Sequence, residues 1–411
     1  MSNPIEVKAT LQPAYDHIIV GGGVAADKAA RAIREVAPDA SVLIISDISD
    51  GPLYRPGLSK DLWLKPNAEL DSIDLATKEN TGAELLLGTR VTALDPKGHT
   101  VTTADGQQVG YGKLLLATGA SARHIGTPDD ERIVYYRNAD DYRHLRSMVS
   151  EGTRVAIVGG GYIASEMAAG LAAVGADVSV HFPGKRILEQ MFPDSITGHL
   201  SKLYESKGVS LNGDFFLDSL SAGEKLVLKS TSGDEVVADV VVLGLGAAPN
   251  IQLAEEAGLT LEMGGVLVDE TLATSAPDIY AAGDIATYDD PILGRRRVEH
   301  MAMAERSGDT AGRTMAGERT EYRYTPLFWS DLFDDGYEAV GETRTNHRVE
   351  EHWNDEHTAA VLYYLDDNDV VRGVLLWNTW DSVPKAREVM AASKEGKLAA
   401  SELAGQITPG G

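Results

Sequence analysis

The segment Tyr15–Val20 gathers apolar residues into what reads as a buried strand, and three glycines, Gly21 to Gly23, follow it directly. Ala-rich helical periodicity then runs over Val24–Val36, and a second apolar strand, Ser41–Ser46, ends at Asp47. This is a βαβ unit with glycine-turn spacing at Gly21, Gly23 and Ala26. Such a turn brings backbone close to a pyrophosphate, a helix start offers free N–H groups, and an acid ending the next strand can hold a ribose diol. The same grammar returns at Arg154–Val158, where Gly159, Gly161 and Ala164 open a helix reaching about Val174, with the strand Asp177–Phe182 beyond it. One copy is a weak signal; two, each set between strand and helix, predict two dinucleotide sites.

Three further strands end in glycine: Leu114–Ala117 runs into Thr118-Gly119, Val240–Leu243 into Gly244-Leu245-Gly246, and Ile279-Tyr280-Ala281-Ala282 into Gly283-Asp284. Open α/β sheets admit ligands at such carboxyl ends, although an ordinary turn explains any one of them equally well. From about Thr320 the texture shifts to short alternating runs at Phe328-Trp329, Tyr337–Val340, Ala359–Tyr364 and Val370–Trp377, with an amphipathic helix beginning near Pro384. The pattern predicts an α/β protein with two Rossmann-like units and a small α/β region at the C-terminal end.

A chain of 411 residues exceeds the size of a single growing core, which agrees with several domains. No apolar run reaches the roughly 18 to 20 residues of a membrane span. Met1–Pro13 lacks the basic and apolar pattern of a secretory or import signal, so a cytoplasmic location is expected. A formal net charge of −25 argues against nucleic acid or an anionic membrane surface as a partner. Cysteine is absent, which removes disulfides, thiolate nucleophiles and a redox-active Cys pair, so electron transfer must rely on a cofactor. The ten histidines show no metal-ligand spacing, and no metal is expected.

Taken together with the two glycine turns, several stretches carry a resemblance. They are Arg55-Pro56-Gly57-Leu58-Ser59-Lys60, Ala117-Thr118-Gly119, Gly159 through Glu166, Ala282-Gly283-Asp284, Val298-Glu299-His300, Phe328-Trp329-Ser330-Asp331-Leu332, Gly336 through Gly341, and Leu376-Trp377-Asn378. Over almost its whole length the chain resembles the two-dinucleotide flavoproteins of the ferredoxin reductase and apoptosis-inducing factor family, the C-terminal stretches being most similar to the latter. The resemblance implies an FAD-binding part in residues 1–125 and 253–320, an inserted NAD(P)H-binding part in 126–252, and a C-terminal part in 321–411. One departure is Pro56-Gly57 where relatives commonly carry Pro-Pro, which is expected to loosen the backbone there.

The resemblance also implies roles. Lys60 and Glu166 would pair beside the flavin N5, the lysine favouring electron density on the ring and the glutamate holding the lysine; an unremarkable surface lysine and helical glutamate is the competing reading. For FAD it implies Gly21, Gly23, Ala26, Asp47, Arg55, Lys60, Ala117, Thr118, Gly119, Gly283, Asp284, Glu299, His300 and Trp329; for NAD(P)H, Gly159, Gly161, Tyr162, Ile163, Glu166, Lys185, Arg186 and Gly246. Asp284 serves equally as a helix cap, and Asp47 as an ordinary turn residue. No acid ends the second unit's second strand; Pro183-Gly184-Lys185-Arg186 follows His181-Phe182, and its two cations favour tolerance of NADPH. The run Arg295-Arg296-Arg297 offers either a docking patch for a small acidic electron carrier such as a ferredoxin or a solvated loop. The implied activity is electron transfer from NAD(P)H through FAD to that carrier. The rival is a redox-responsive interaction protein with slow turnover that forms a homodimer when nicotinamide binds.

Overall fold

The computed structural model describes residues 11–65 and 67–410, so the reading of Met1–Pro13 falls largely outside the described residues. Strand β1 (Ala14–Val20) enters the glycine turn, helix α1 (Val24–Val36) follows, and β2 (Val42–Ile45) returns parallel to β1. Four more strands, β3 (Glu84–Leu86), β4 (Val91–Asp95), β5 (Thr100–Thr103) and β6 (Gln108–Leu116), complete the order β3-β2-β1-β6-β5-β4, and Ile279–Ala281 adds parallel to β6. The central strands read as unbroken apolar runs because both faces are covered, as a parallel core requires. A chain segment more than 160 residues downstream of β6 therefore returns to complete the same sheet, and it is hydrophobic burial of Ile279 and Ala281 that holds it there.

The second unit is a five-stranded parallel sheet of β7 (Ile133–Val134), β8 (Arg154–Val158), β9 (Asp177–His181), β10 (Ser210–Asn212) and β11 (Val240–Leu243), ordered β10-β9-β8-β11-β7. Its glycine turn feeds α2 (Tyr162–Ala173), whose residues from Ala164 to Leu171 are buried. Such all-round burial follows from packing on two sides, against its own sheet and against the segment around Trp63, whose Cβ would meet any side chain added at Gly170.

Beyond helix α3 (Met301–Met315), the C-terminal sheet is antiparallel: β12 (Leu327–Leu332), β13 (Asp335–Gly341), β14 (Arg348–Trp353), β15 (Ala360–Leu365) and β16 (Val371–Trp377) lie in the order β12-β13-β16-β15-β14. Helix α4 (Val383–Lys394) covers one face, and the other packs on the second unit through Tyr337, Tyr364 and Trp377. Strand β14 escaped the apolar pattern because it is the edge: Arg348, Glu350 and Glu351 sit on it, the charges that discourage pairing with another chain.

Gly57 does not loosen its segment. It is buried at the second position of a short helix, Pro56–Ser59, and Ile73 occupies the place its side chain would take, with Cγ2 only 2.5 Å from where a Cβ would stand. Among the described residues no helix is long and apolar enough to cross a membrane.

Candidate functional site

β1, β6 and the strand Ile279–Ala281 lie side by side and end together, so the segments beyond them converge. Gly21, Thr118 and Gly119, and Gly283 with Asp284, thereby line one cavity of about 700 Å³. Gly21 has φ +120° and a methyl there would stand 2.0 Å from the Ala117 carbonyl oxygen, so the turn closes only on glycine. Gly23 differs: nothing lies nearer its missing Cβ than Arg55 Nη2 at 3.9 Å, and its side faces open space at the start of α1.

The cavity runs from Asp47, Arg90 and Val91 at one end to Lys60, Glu166, Phe328 and Trp329 at the other. Arg55 and Arg137 line the cavity too, Arg55 within the field of Arg137, Asp284 and Asp47. Arg137 donates from Nη2 to Asp284 Oδ2 at 3.0 Å and from Nε to the Ala120 carbonyl at 2.9 Å. Burial and the charge of Arg137 pull Arg55 down to about 10, against the attraction of Asp284 and Asp47. Asp284 is raised by burial and by Glu299, a shift opposed by Arg137 and Arg55. Two crowded guanidinium groups beside the glycine turn at the start of α1 suit a negatively charged diphosphate. His300, pushed down to about 4 by burial and by Arg296, is neutral and leaves a buried Nδ1 without a partner among the described residues. The residues therefore fit a dinucleotide with a polar ring at the far end.

At that end the two units meet. Lys60 Nζ lies 3.3 Å from Glu166 Oε1, both side chains being about one-tenth exposed, which removes them from the surface reading. Tyr162 and Ile163, on the same helix as Glu166, line the cavity beside them. Phe328 packs edge-on to Tyr162 and tilted against His300, so the C-terminal sheet closes this end.

Six of the implied positions stand apart from this cavity. Ala26 is fully buried within α1, making room for helix packing. Gly159 and Gly161 form the second turn: at Gly159 φ is +132° and a methyl would meet the Gly244 carbonyl oxygen at 2.3 Å, whereas Gly161 is exposed and open. Gly246 lies exposed past the end of β11. Lys185 and Arg186 do follow β9, but their backbone N–H groups both donate to Glu189 Oε2, at 2.8 and 3.0 Å, and Arg186 Nη1 pairs with Asp194 at 2.8 Å. The loop therefore holds a carboxylate that was invisible in the strand-end pattern, because it folds back from three residues past Arg186.

The arginine run is not a free cationic patch. Arg295 pairs with Asp289 at 2.7 Å and Glu262 at 2.8 Å, Arg297 pairs with Glu299 at 2.7 Å, and Arg296 has Nε and Nη1 buried. Carboxylates from neighbouring strands engage Arg295, and Glu299, two residues on, engages Arg297. Arg137, Val91 and Ser330 were missed by sequence reasoning; Arg137 sits in an ordinary pre-helix segment, and only Asp284, 147 residues away, reveals its use.

Two glycine-turn βαβ units that share one cavity define the class of two-dinucleotide oxidoreductases. Residues 15–308 match the pyridine nucleotide-disulphide oxidoreductase family, and the chain belongs to it. It is 35% identical over 331 residues to the anthranilate 1,2-dioxygenase system ferredoxin–NAD(+) reductase component of Burkholderia cepacia, covering 79% of this chain and 81% of that protein. It is 31% identical to mitochondrial apoptosis-inducing factor 1 of Dictyostelium discoideum, covering 92% of this chain and 78% of that one. The crystal structure of the ferredoxin reductase for the CYP199A2 system of Rhodopseudomonas palustris superimposes with a TM-score of 0.84 at 25% identity over 94% of this chain and 96% of that chain. The putidaredoxin reductase–putidaredoxin complex shares the fold, with a TM-score of 0.83 at 24% identity, over 94% of each chain. The cofactor of this class is FAD and its substrate is NAD(P)H. Despite the family's name, the absence of cysteine leaves this chain no disulfide of its own.

Proposed function

We propose that this protein oxidises NAD(P)H through bound FAD and passes the electrons to a ferredoxin-type iron–sulfur protein. The observation that carries the reading is the joint cavity, in which Lys60 from the first unit meets Glu166 from the second at the end away from Asp47. FAD supplies the chemistry that connects a two-electron donor to a one-electron acceptor. The chain supplies position and field. In this reading residues up to about 125 and 253–320 hold FAD, 126–252 the nicotinamide nucleotide, and the C-terminal sheet closes the cavity. Gly21, Gly23, Arg55 and Arg137 take the diphosphate, Asp47 and Val91 the adenosine end, Asp284 the sugar alcohol chain, and Lys60, His300 and Trp329 the ring. Glu166 acts on the ring through Lys60.

The test starts with purified protein supplied with FAD, mixed anaerobically with NADH or NADPH and then with an oxidised ferredoxin. The expected result is a yellow protein whose absorbance bleaches on adding the nicotinamide and returns as the ferredoxin is reduced. Failure to take up FAD, or no bleaching by either nucleotide, overturns the proposal. Rapid bleaching with a reduced state that persists in the presence of ferredoxin, together with concentration-dependent dimerisation, replaces it with the interaction protein.

The Glu189 carboxylate bears on coenzyme choice. It occupies the loop's two N–H donors, so a 2′-phosphate arriving there meets a like charge. We expect kcat/KM for NADH to exceed that for NADPH by about tenfold or more, and Glu189→Gln to narrow the ratio by freeing the loop for phosphate. Equal use of both coenzymes by the unmodified protein would refute this assignment.

A further inference from the structure

Glu166 is bound by more than Lys60. Ser59 Oγ donates to Oε2 at 2.5 Å, and Ser330 Oγ donates to Oε1 at 2.6 Å, the oxygen that also faces Lys60 Nζ. Three parts of the chain therefore meet on one carboxylate: the Arg55–Lys60 segment, helix α2 and strand β12. All four residues are buried, Ser330 being only 2% exposed. The register partner of Ser330 across the ladder is Tyr337, whose ring packs against Phe192, Phe328 and Trp377.

The distances decide what this arrangement does. A charge-assisted N–H···O bond to a carboxylate settles at about 2.7 to 2.9 Å, so 3.3 Å is a slack ion pair. Each carboxylate oxygen already accepts a short hydroxyl bond, which spreads its charge and reduces its pull on the ammonium. The ammonium is then only partly spent on its partner and keeps hydrogen-bonding capacity for the cavity it lines.

We propose that Ser330 is a positioning residue, whose hydroxyl competes with Lys60 for Glu166 Oε1 and so keeps the ammonium directed at the flavin ring. The C-terminal sheet then helps set the electrostatics of the site as well as covering it. The two serines are not equivalent: Ser59 acts on Oε2, which Lys60 does not share, so its loss relaxes the pair less. The inference rests on the proposed function for the identity of the ring.

The experiment is a measurement of the flavin reduction potential, by equilibration with a reference dye under a chemical reductant, on the FAD-loaded full chain and on Ser330→Ala, Ser59→Ala and Ser330→Thr. Stopped-flow reduction by NADH accompanies it. With Ser330→Ala the lysine closes on Glu166, the potential becomes more negative, and the limiting rate of flavin reduction falls about tenfold at an unchanged NADH dissociation constant. Ser59→Ala shifts both quantities less, and Ser330→Thr restores both. Ser330→Cys, of similar size but a weaker donor, moves in the same direction as alanine and serves if that variant folds poorly. Tyr337→Phe, whose lost hydroxyl has no partner among the described residues, leaves the potential unchanged. A Ser330→Ala protein with lowered melting temperature but wild-type potential and rate shows a purely structural role and overturns the inference. Because the potential is measured without nicotinamide, an unmodified protein that binds FAD yet ignores NAD(P)H defeats the proposed function alone; one that binds no FAD defeats both.

Discussion

Replacing Lys60 with methionine is expected to slow reduction of the flavin by NADH about a hundredfold, roughly 2.7 kcal/mol of lost stabilisation. Methionine keeps much of the buried stem and removes only the charge, and Lys60 is 8% exposed, so its field acts where water screens little. Glu166 would keep its two serine donors but lose its counter-ion, so a lower melting temperature accompanies the slower reduction. FAD binding should change little, since Arg55, Arg137 and the first glycine turn are untouched by the substitution. Stopped-flow absorbance gives the rate and equilibrium titration gives the affinity. A variant reduced as fast as the parent would return Lys60 to a structural role, and a variant that loses FAD altogether would assign it to cofactor binding instead.

Two neighbouring glycines should fail in different ways. Gly21→Ala puts a methyl 2.0 Å from a main-chain oxygen at a φ of +120°, and main chain cannot swing aside as a side chain can. The expected outcome is loss of the first unit's fold, seen as insoluble protein or as a large fall in melting temperature with no flavin bound. Gly23→Ala meets nothing closer than Arg55 Nη2 at 3.9 Å, so the chain folds, but the methyl points into the space beside the start of α1 where the diphosphate is expected. That variant should show a melting temperature, measured without FAD, near that of the apo parent and at least about tenfold weaker FAD binding, an order of magnitude corresponding to about 1.4 kcal/mol. Wild-type FAD affinity in Gly23→Ala would displace the diphosphate from this turn. Normal folding of Gly21→Ala would contradict the close approach to Ala117.

The ion pairs of the arginine run favour its reading as a solvated loop over a docking patch. With Arg295 and Arg297 each engaged by carboxylates, the arginine run provides little attraction for an acidic carrier at this face. A ferredoxin of acidic character must then approach a chain of net charge −25 against repulsion, and salt should assist rather than hinder its encounter.

What the sequence determined by itself is the set of features whose causes are local. A strand, a glycine turn and a helix are consecutive in the chain, and the turn's chemistry is written in three residues, so both βαβ units could be read with helix α1 matching Val24–Val36 and strand β8 matching Arg154–Val158. Parallel strands buried on both faces must be apolar throughout, and so β11 was equally plain as Val240–Leu243. The resemblance then carried Lys60 to Glu166, a pairing that no local pattern contains. Tertiary structure alone decided what depends on residues far apart in the chain: Arg137 meeting Asp284, Ser330 meeting Glu166 across 164 positions, and Glu262 closing on Arg295. Each is a polar contact whose members look like ordinary surface residues in the sequence, and for Ser330 and Glu166 burial also removes water as the competing partner. Periodicity records which residues leave water, whereas which polar groups meet once water is gone depends on how the sheets and helices pack together.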